Sequence, residues 1–114
     1  MDVRIITVPI TRTELKKIAE ERFGDLVKAV VDIETGAMAI SGELHADEEA
    51  ALLEQGSKQR NLWGINLYPD ITDENWIEFD SMINVRPSQN NRSRCVEDKM
   101  ICEKVIKIVN DLIK

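Results

Sequence analysis

The sequence predicts an α+β domain in which about five strands form a mixed or antiparallel sheet and three helices pack mainly on one face. Three observations lead to this prediction. The apolar patterns follow the order β-α-β-β-α-β-β-α, and two of the strand pairs look like hairpins, which favours antiparallel pairing. The 114 residues, 43% hydrophobic and 32% charged, suit a single globular domain over 1–114.

The first strand and the first helix have clear signals. Residues 3–8 form a short, mainly apolar run that is rich in β-branched side chains, which is typical of a strand. Thr11 and Glu14 then have the spacing of a capping box, in which each side chain satisfies a free N–H group of the first helical turn. Apolar residues follow at helical spacing until Gly24, so we expect a helix over 12–23.

A hairpin and a short helix come next. Residues 25–34 and 37–44 read as two strands, and Gly36 between them is expected to take the positive φ of a tight turn. The segment 47–55 reads as a helix, because acidic residues in its first turn are favoured by the helix dipole.

The last third of the chain predicts two strands and a helix. We expect strands over 62–68 and 76–85, the second because its apolar and polar residues alternate. The final helix, 98–113, carries an apolar arc of roughly 160°, broader than one packing surface requires. A second surface must cover this arc, or the helix takes part in self-association.

Composition narrows the classes of function. The net charge of −6 argues against general nucleic-acid binding, which needs a basic surface to neutralise phosphate. No apolar run approaches the length of a membrane span. The two cysteines, Cys95 and Cys102, do not form a disulfide framework, so we expect free thiols and a cytoplasmic protein. No cofactor motif occurs, and no cofactor is predicted.

A first candidate site lies at 43–49, where the only histidine stands among four carboxylates. In an extended segment Glu43, His45 and Asp47 project on the same side. An imidazole beside a carboxylate can act as a general base, whereas the spacing of a metal site is absent. The alternative is an acid-rich helix start with His45 half-exposed before it.

A second candidate site lies at 86–94, just before the last helix. Guanidinium groups bind phosphate or carboxylate, and asparagines in the left-handed conformation let backbone amides converge on an anion. The alternative is a solvated loop whose arginines pair with Glu97 and Asp98. The candidate anion-binding residues are Arg86, Ser88, Asn91, Arg92, Ser93 and Arg94.

The polar face of the predicted strand 76–85 is a third candidate. It would present Glu78, Asp80 and Asn84, with Asn66 and Tyr68 beside them. Two carboxylates separated in this way can catalyse glycoside hydrolysis, although a solvated strand face has the same pattern.

Long segments of the chain resemble a family of short archaeal and bacterial proteins that is known only as a domain of unknown function. The resemblance implies a prokaryotic cytosolic protein and implies no activity. It extends over nearly the whole chain and rests on GELHADEE at 42–49, LWGINLYP at 62–69, and IEFDSMIN, RPSQ and NRSR within 77–94.

Two functions follow from these patterns. The first is a binding module, expected to be a homodimer, which holds a small anion or an acidic protein partner at the 86–94 loop. The second is a hydrolase in which His45 is the general base, Glu43 or Asp47 orients it, and the arginines hold an anionic substrate. The second requires the segments 43–47 and 86–94 to converge. A structural partner without any ligand is the third alternative.

Overall fold

The computed structural model describes residues 2–114 and has one antiparallel sheet with three helices. The strand order is β1-β3-β2-β4-β5, and every neighbouring pair is antiparallel. The α+β prediction is therefore confirmed, and its mixed-sheet alternative does not apply. The elements are β1 (Arg4–Ile6), α1 (Arg12–Arg22), β2 (Val27–Asp32), β3 (Met38–Ile40), α2 (His45–Glu54), β4 (Leu62–Leu67), β5 (Ile77–Glu78) and α3 (Lys99–Leu112).

The predicted helix start and hairpin turn are present. The Thr11 hydroxyl accepts a hydrogen bond from the Glu14 amide at 3.0 Å, as expected for an N-cap. Between β2 and β3, Gly36 has a φ of +81°. The buried Asp32 carboxylate accepts from the backbone amides of Glu34 and Thr35, which fixes the turn.

Both faces of the sheet are covered. One set of alternating side chains from β2 and β4, including Val31 and Ile65, packs against α1 and α3. The opposite set, including Val30 and Leu62, packs against Leu52 of α2. Two of the three helices thus lie on one face, and α2 covers part of the other. The rest of that second face is where the polar side chains of β2 and β4 meet the segment 79–97.

The strand predicted over 76–85 is wrong beyond Glu78. The chain leaves the sheet after β5 and makes a 3-10 turn at Met82–Asn84, where the Ser81 hydroxyl accepts from the Ile83 amide at 3.2 Å. The side chain of Asn84 takes over the strand pairing, because it bonds to both the N–H and the C=O of Gly64 at 2.8 and 2.9 Å. Alternating polarity occurs here without a strand.

The broad apolar arc of α3 is largely covered inside one chain. Val105, Val109 and Leu112 are buried, and Ile101 and Ile108 pack partly buried against the same cluster. The backbone after α3 is held by Ile10, which bonds to Leu112 and Lys114. No helix within residues 2–114 is both long and apolar enough to cross a bilayer.

Candidate functional site

A cleft of about 280 Å³ opens on the α2 side of the sheet, and we call it the His45 cleft. Three elements and one loop build it: β2, β4, the start of α2 and the segment 80–94. Its polar lining consists of Lys28, His45, Asn66, Asp80, Ser81 and Arg94, and its apolar lining of Leu44, Ala46, Met82 and Ile83. The first two sequence candidates, 43–49 and 86–94, thus meet in one concavity through His45 and Arg94.

His45 is the first residue of α2 and stands half-buried over β4. Its Nε2 lies 2.8 Å from the backbone carbonyl oxygen of Ile65. Because a carbonyl only accepts, this nitrogen carries the proton, and Nδ1 is the basic nitrogen of the neutral ring.

The pKa of His45 lies below its ordinary value of 6.5, chiefly because burial disfavours the charged imidazolium. The positive charge of Lys28 lowers the pKa further, whereas the Ile65 carbonyl, Asn66 and Asp80 oppose this change. The ring is therefore neutral at pH 7 and has a free basic nitrogen.

Two cations give the His45 cleft a positive balance in a chain whose net charge is −6. Arg94 forms an ion pair with Asp80, with Nε 2.7 Å from Oδ1, and both side chains are about half exposed. No group among residues 2–114 accepts from the two Nη atoms of Arg94. Lys28 lies on β2, and its Nζ packs over Phe23, 4.9 Å from the centroid of the phenyl ring. Lys28, Asp80 and Arg94 together leave one positive charge.

Asn66 is a well-enclosed polar residue of the cleft, with 8% of its surface exposed. Its Nδ2 donates to Glu78 Oε1 at 2.8 Å and to the Asp80 carbonyl at 3.2 Å. Tyr68 also donates to Glu78 Oε1, at 3.1 Å. Of the third sequence candidate, Glu78, Asn66 and Tyr68 form one hydrogen-bond network, which orients Asn66.

Glu48 lies on the inner side of α2, one turn after His45, and is completely buried. Burial raises its pKa to about 9, so this side chain is a neutral acid at pH 7. Its Oε2 accepts from the Gly42 amide at 3.0 Å. A methyl group at Gly42 would come within 2.8 Å of Glu48 Cγ, so glycine makes room for the acid.

The expected carboxylate partners of His45 lie elsewhere. Glu43 is exposed and pairs at 3.3 Å with Arg22, the last residue of α1. Asp47 is half-buried in the first turn of α2, where it supports the helix dipole. His45 begins the helix, so the extended geometry that would align these three side chains does not occur. The backbone carbonyl of Ile65 orients the ring instead.

Arg86 serves the fold and is 8% exposed. Its guanidinium donates to the backbone carbonyls of Gln59, Leu62 and Ile83, and it stacks on Trp63 at 4.2 Å from the ring centroid. These bonds use its donors, so the sequence-based role in anion binding finds no free group here.

The backbone of the 86–94 loop converges as expected, but on an acid of the same chain. Asn90 has a φ of +60°, and the amides of Arg92 and Ser93 both point to Glu97 Oε2 at 2.9 and 2.8 Å. The Ser93 hydroxyl donates to the same oxygen at 2.7 Å. These bonds lower the pKa of Glu97, which therefore occupies the position of an anion.

The remaining loop candidates are separated. Asn91 is buried and donates to the carbonyls of Asn84 and Cys95, each at 2.7 Å. Ser88 is exposed in a 3-10 turn, and the Arg92 side chain is exposed as well. Of the predicted anion-binding residues, only Arg94 reaches the His45 cleft.

Two residues in or near the cleft, Lys28 and Glu48, have weak signals in the sequence. Lys28 interrupts an apolar strand, and a charge in such a position indicates a polar pocket on one sheet face. Glu48 is one of the acidic residues of the predicted helix start, and its spacing from His45 and Leu52 places all three on one helix face. Within residues 2–114, no three His, Cys, Asp or Glu side chains are placed to hold a metal ion.

Comparison with known families gives one result for the whole fold. A family model described as "Protein of unknown function (DUF5674)" matches residues 4–112. The chain belongs to the DUF5674 family. No curated protein and no solved structure matches it. The resemblance to an uncharacterised family is therefore confirmed, and this DUF5674 chain must be interpreted from its own side chains.

Proposed function

We propose that this DUF5674 chain binds a small organic anion in the His45 cleft. The proposal rests on one observation: Arg94, Lys28 and a neutral His45 line the same concavity, which has an excess of positive charge. A carboxylate or phosphate group would be held by the outward Nη atoms of Arg94, which is a charge-assisted interaction. The exposed side chains of Leu44 and Met82 at the rim would contact an apolar part of the ligand.

This proposal moves the anion site from the 86–94 loop to the cleft beside it. The converging amides of the loop already bind the Glu97 carboxylate of the same chain. The guanidinium group of Arg86 binds backbone carbonyls. Arg94 belongs to both sites, because it ends the 86–94 loop and lines the His45 cleft.

Amide chemical shifts test the proposal. We expect millimolar butyrate, methyl phosphate or inorganic phosphate to shift the amide signals of residues 44–46, 66, 80–83 and 94. Arg94→Gln should weaken binding about tenfold, because a charge-assisted hydrogen bond is lost at a half-exposed site. Arg92→Gln is the matched control, since Arg92 is an exposed arginine outside the cleft. Shifts confined to residues 92–97, or equal losses in both variants, would contradict it.

A second candidate function is hydrolysis with His45 as the general base. It is favoured by the fixed tautomer, because the Ile65 carbonyl holds Nε2–H and leaves Nδ1 basic. Nδ1 would take a proton from water as the water oxygen bonds to the carbonyl carbon or phosphorus of an ester. The ester bond would then break, and the leaving oxygen would receive the proton back from the imidazolium.

Activated esters test the hydrolase candidate. With p-nitrophenyl butyrate and p-nitrophenyl phosphate, we expect His45→Gln to lower kcat by about 10²-fold or more. Glu43→Gln should leave the rate unchanged, because Glu43 pairs with Arg22. A wild-type rate no higher than that of His45→Gln would exclude this function.

We also infer a cytoplasmic, prokaryotic setting and self-association for this chain. The thiols of Cys95 and Cys102 form no disulfide, which supports a reducing compartment. An acidic protein partner is a less favoured ligand, because the cleft is small and its positive excess is a single charge.

A further inference from the structure

Asn66 has an acceptor that the protein leaves unused. Its Nδ2 donates to Glu78 Oε1 and to the Asp80 carbonyl, so the orientation of the amide is fixed: a flipped amide would place oxygen against two acceptors. Its Oδ1 is buried, and no group among residues 2–114 donates to it. Buried polar groups in native proteins nearly always have a partner.

His45 supplies a second acceptor in the same cleft. Its Nε2–H bonds to Ile65, and no described residue donates to its Nδ1. The side chain of Asn66 is a hydrogen-bond partner of the protonated ring and raises the pKa of His45, so the two acceptors belong to neighbouring groups. The His45 cleft therefore combines a positive charge excess with two neighbouring acceptors, of which the buried Asn66 Oδ1 has no donor among residues 2–114.

We propose that the ligand is a small organic acid that carries a hydrogen-bond donor, a hydroxyl or an amino group, beside its acidic group and has a short apolar chain. This inference rests on the proposed function, since it describes the ligand of the same cleft. The acidic group would bind Arg94, the donor would satisfy Asn66 Oδ1 and His45 Nδ1, and the chain would lie against Leu44 and Met82. A simple carboxylic acid would leave both acceptors unsatisfied.

Three acids with one carbon skeleton test this inference. Butyrate has no donor, 2-hydroxybutyrate has a hydroxyl, and 2-aminobutyrate has an amino group. We expect the hydroxy or the amino acid to bind at least about tenfold more tightly than butyrate, since an unsatisfied buried acceptor disfavours the complex. Which of the two binds more tightly distinguishes the two donors.

The outcomes separate this inference from the proposed function. Equal affinities for all three acids would overturn the donor requirement and leave the anion site intact. If none of the acids shifts the signals of the cleft, both proposals are wrong.

A variant and a pH series add independent readouts. Asn66→Leu should abolish the preference over butyrate, whereas Asn110→Leu, at an exposed asparagine of α3 outside the cleft, should preserve it. Asn66→Leu also removes two structural hydrogen bonds, so the second measurement is a pH series on the wild-type chain.

The preference should fall as the pH falls through the pKa of His45, below 6.5, because imidazolium donates and no longer accepts. Lys28 and Asp80 are the charged groups that act on the ring. A preference independent of pH and of Asn66 would contradict the inference.

Discussion

Glu48 is a carboxylic acid in a place that solvent does not reach. Its pKa is about 9 in the folded chain and near 4.5 when exposed. Between these values the unfolded chain has released the proton that the folded chain retains. The free energy of unfolding therefore decreases as the pH rises from about 4.5 to about 9, by up to about 1.4 kcal/mol per pH unit.

Replacing Glu48 with glutamine should remove this pH dependence. Glutamine has nearly the same shape and can still accept from the Gly42 amide, but it cannot ionise. We expect Glu48→Gln to raise the free energy of unfolding by about 2–3 kcal/mol at pH 7 and to have little effect at pH 4. Urea unfolding at several pH values measures this, with the exposed Glu54→Gln as control. Wild-type stability that is constant from pH 5 to pH 8 would show that Glu48 is ionised.

At the scale of elements, the segment 79–97 acts as a polar extension of the sheet. Asn84 bonds to the backbone of Gly64, and Arg86 binds the carbonyls before and at the start of β4. Asn91 then bonds to the carbonyls within the segment. Side-chain amides and one guanidinium thus replace a regular strand along β4.

Arg86→Ala should destabilise the fold strongly. The substitution leaves several buried carbonyls without donors and exposes the ring of Trp63, so we expect a loss of about 3–5 kcal/mol. Arg86→Lys should recover little, because an ammonium lacks the planar fork of donors that reaches three carbonyls. Thermal or urea unfolding provides the measurement, and Arg92→Ala should change the stability by less than about 0.5 kcal/mol. Similar effects of the two alanine variants would contradict the structural role of Arg86.

Gly64 should not tolerate a side chain. A methyl group there would lie 2.6 Å from Ser81 Cβ and 2.7 Å from Ser81 Oγ. We expect Gly64→Ala to lower the free energy of unfolding by about 1–3 kcal/mol, because the wall of the cleft must move. Adding Ser81→Gly should restore part of the loss by making room. Additive losses in the double variant would show that the two positions do not touch.

These elements show how far the sequence could be interpreted. Local rules worked where the cause is local: the Thr11 cap, the Gly36 turn and the left-handed Asn90 all occur as expected. The alternation of polar and apolar residues after Glu78 wrongly predicted a strand. Asn84 is buried instead, and its side chain bonds to the backbone of Gly64, twenty residues earlier in the chain. His45 was recognised as a candidate base, but its partner is a main-chain carbonyl, which no residue type reveals. Lys28 and Arg94 meet only through the tertiary fold.

For the whole molecule, self-association depends on how much of the apolar face of α3 is left exposed. The apolar arc of α3 suggested a homodimer, yet most of the arc packs within one chain. Among its apolar side chains, Met100 and Ile106 remain clearly exposed, at 68% and 38%. They are separated by about 120° around the helix and do not form one stripe.

Self-association therefore stays a prediction that a mass measurement decides. Sedimentation velocity of a homodimer would give twice the chain mass of 13.0 kDa. If α3 forms the interface, Ile106→Glu should return the species to the mass of one chain, whereas Lys104→Glu should not. A single-chain mass for the wild type at high concentration would refute the dimer.

Both tryptophans lie beneath a guanidinium group: Arg86 covers Trp63 at 4.2 Å and Arg12 covers Trp76 at 4.0 Å. Each indole belongs to the cluster beneath α1 and α3, on the side of the sheet away from the His45 cleft. Intrinsic emission should consequently move to longer wavelength when the domain unfolds and stay nearly constant when a small molecule enters the cleft. The chain thus contains an optical probe of folding that is separate from ligand occupancy, and unfolding and binding can be followed in the same cuvette.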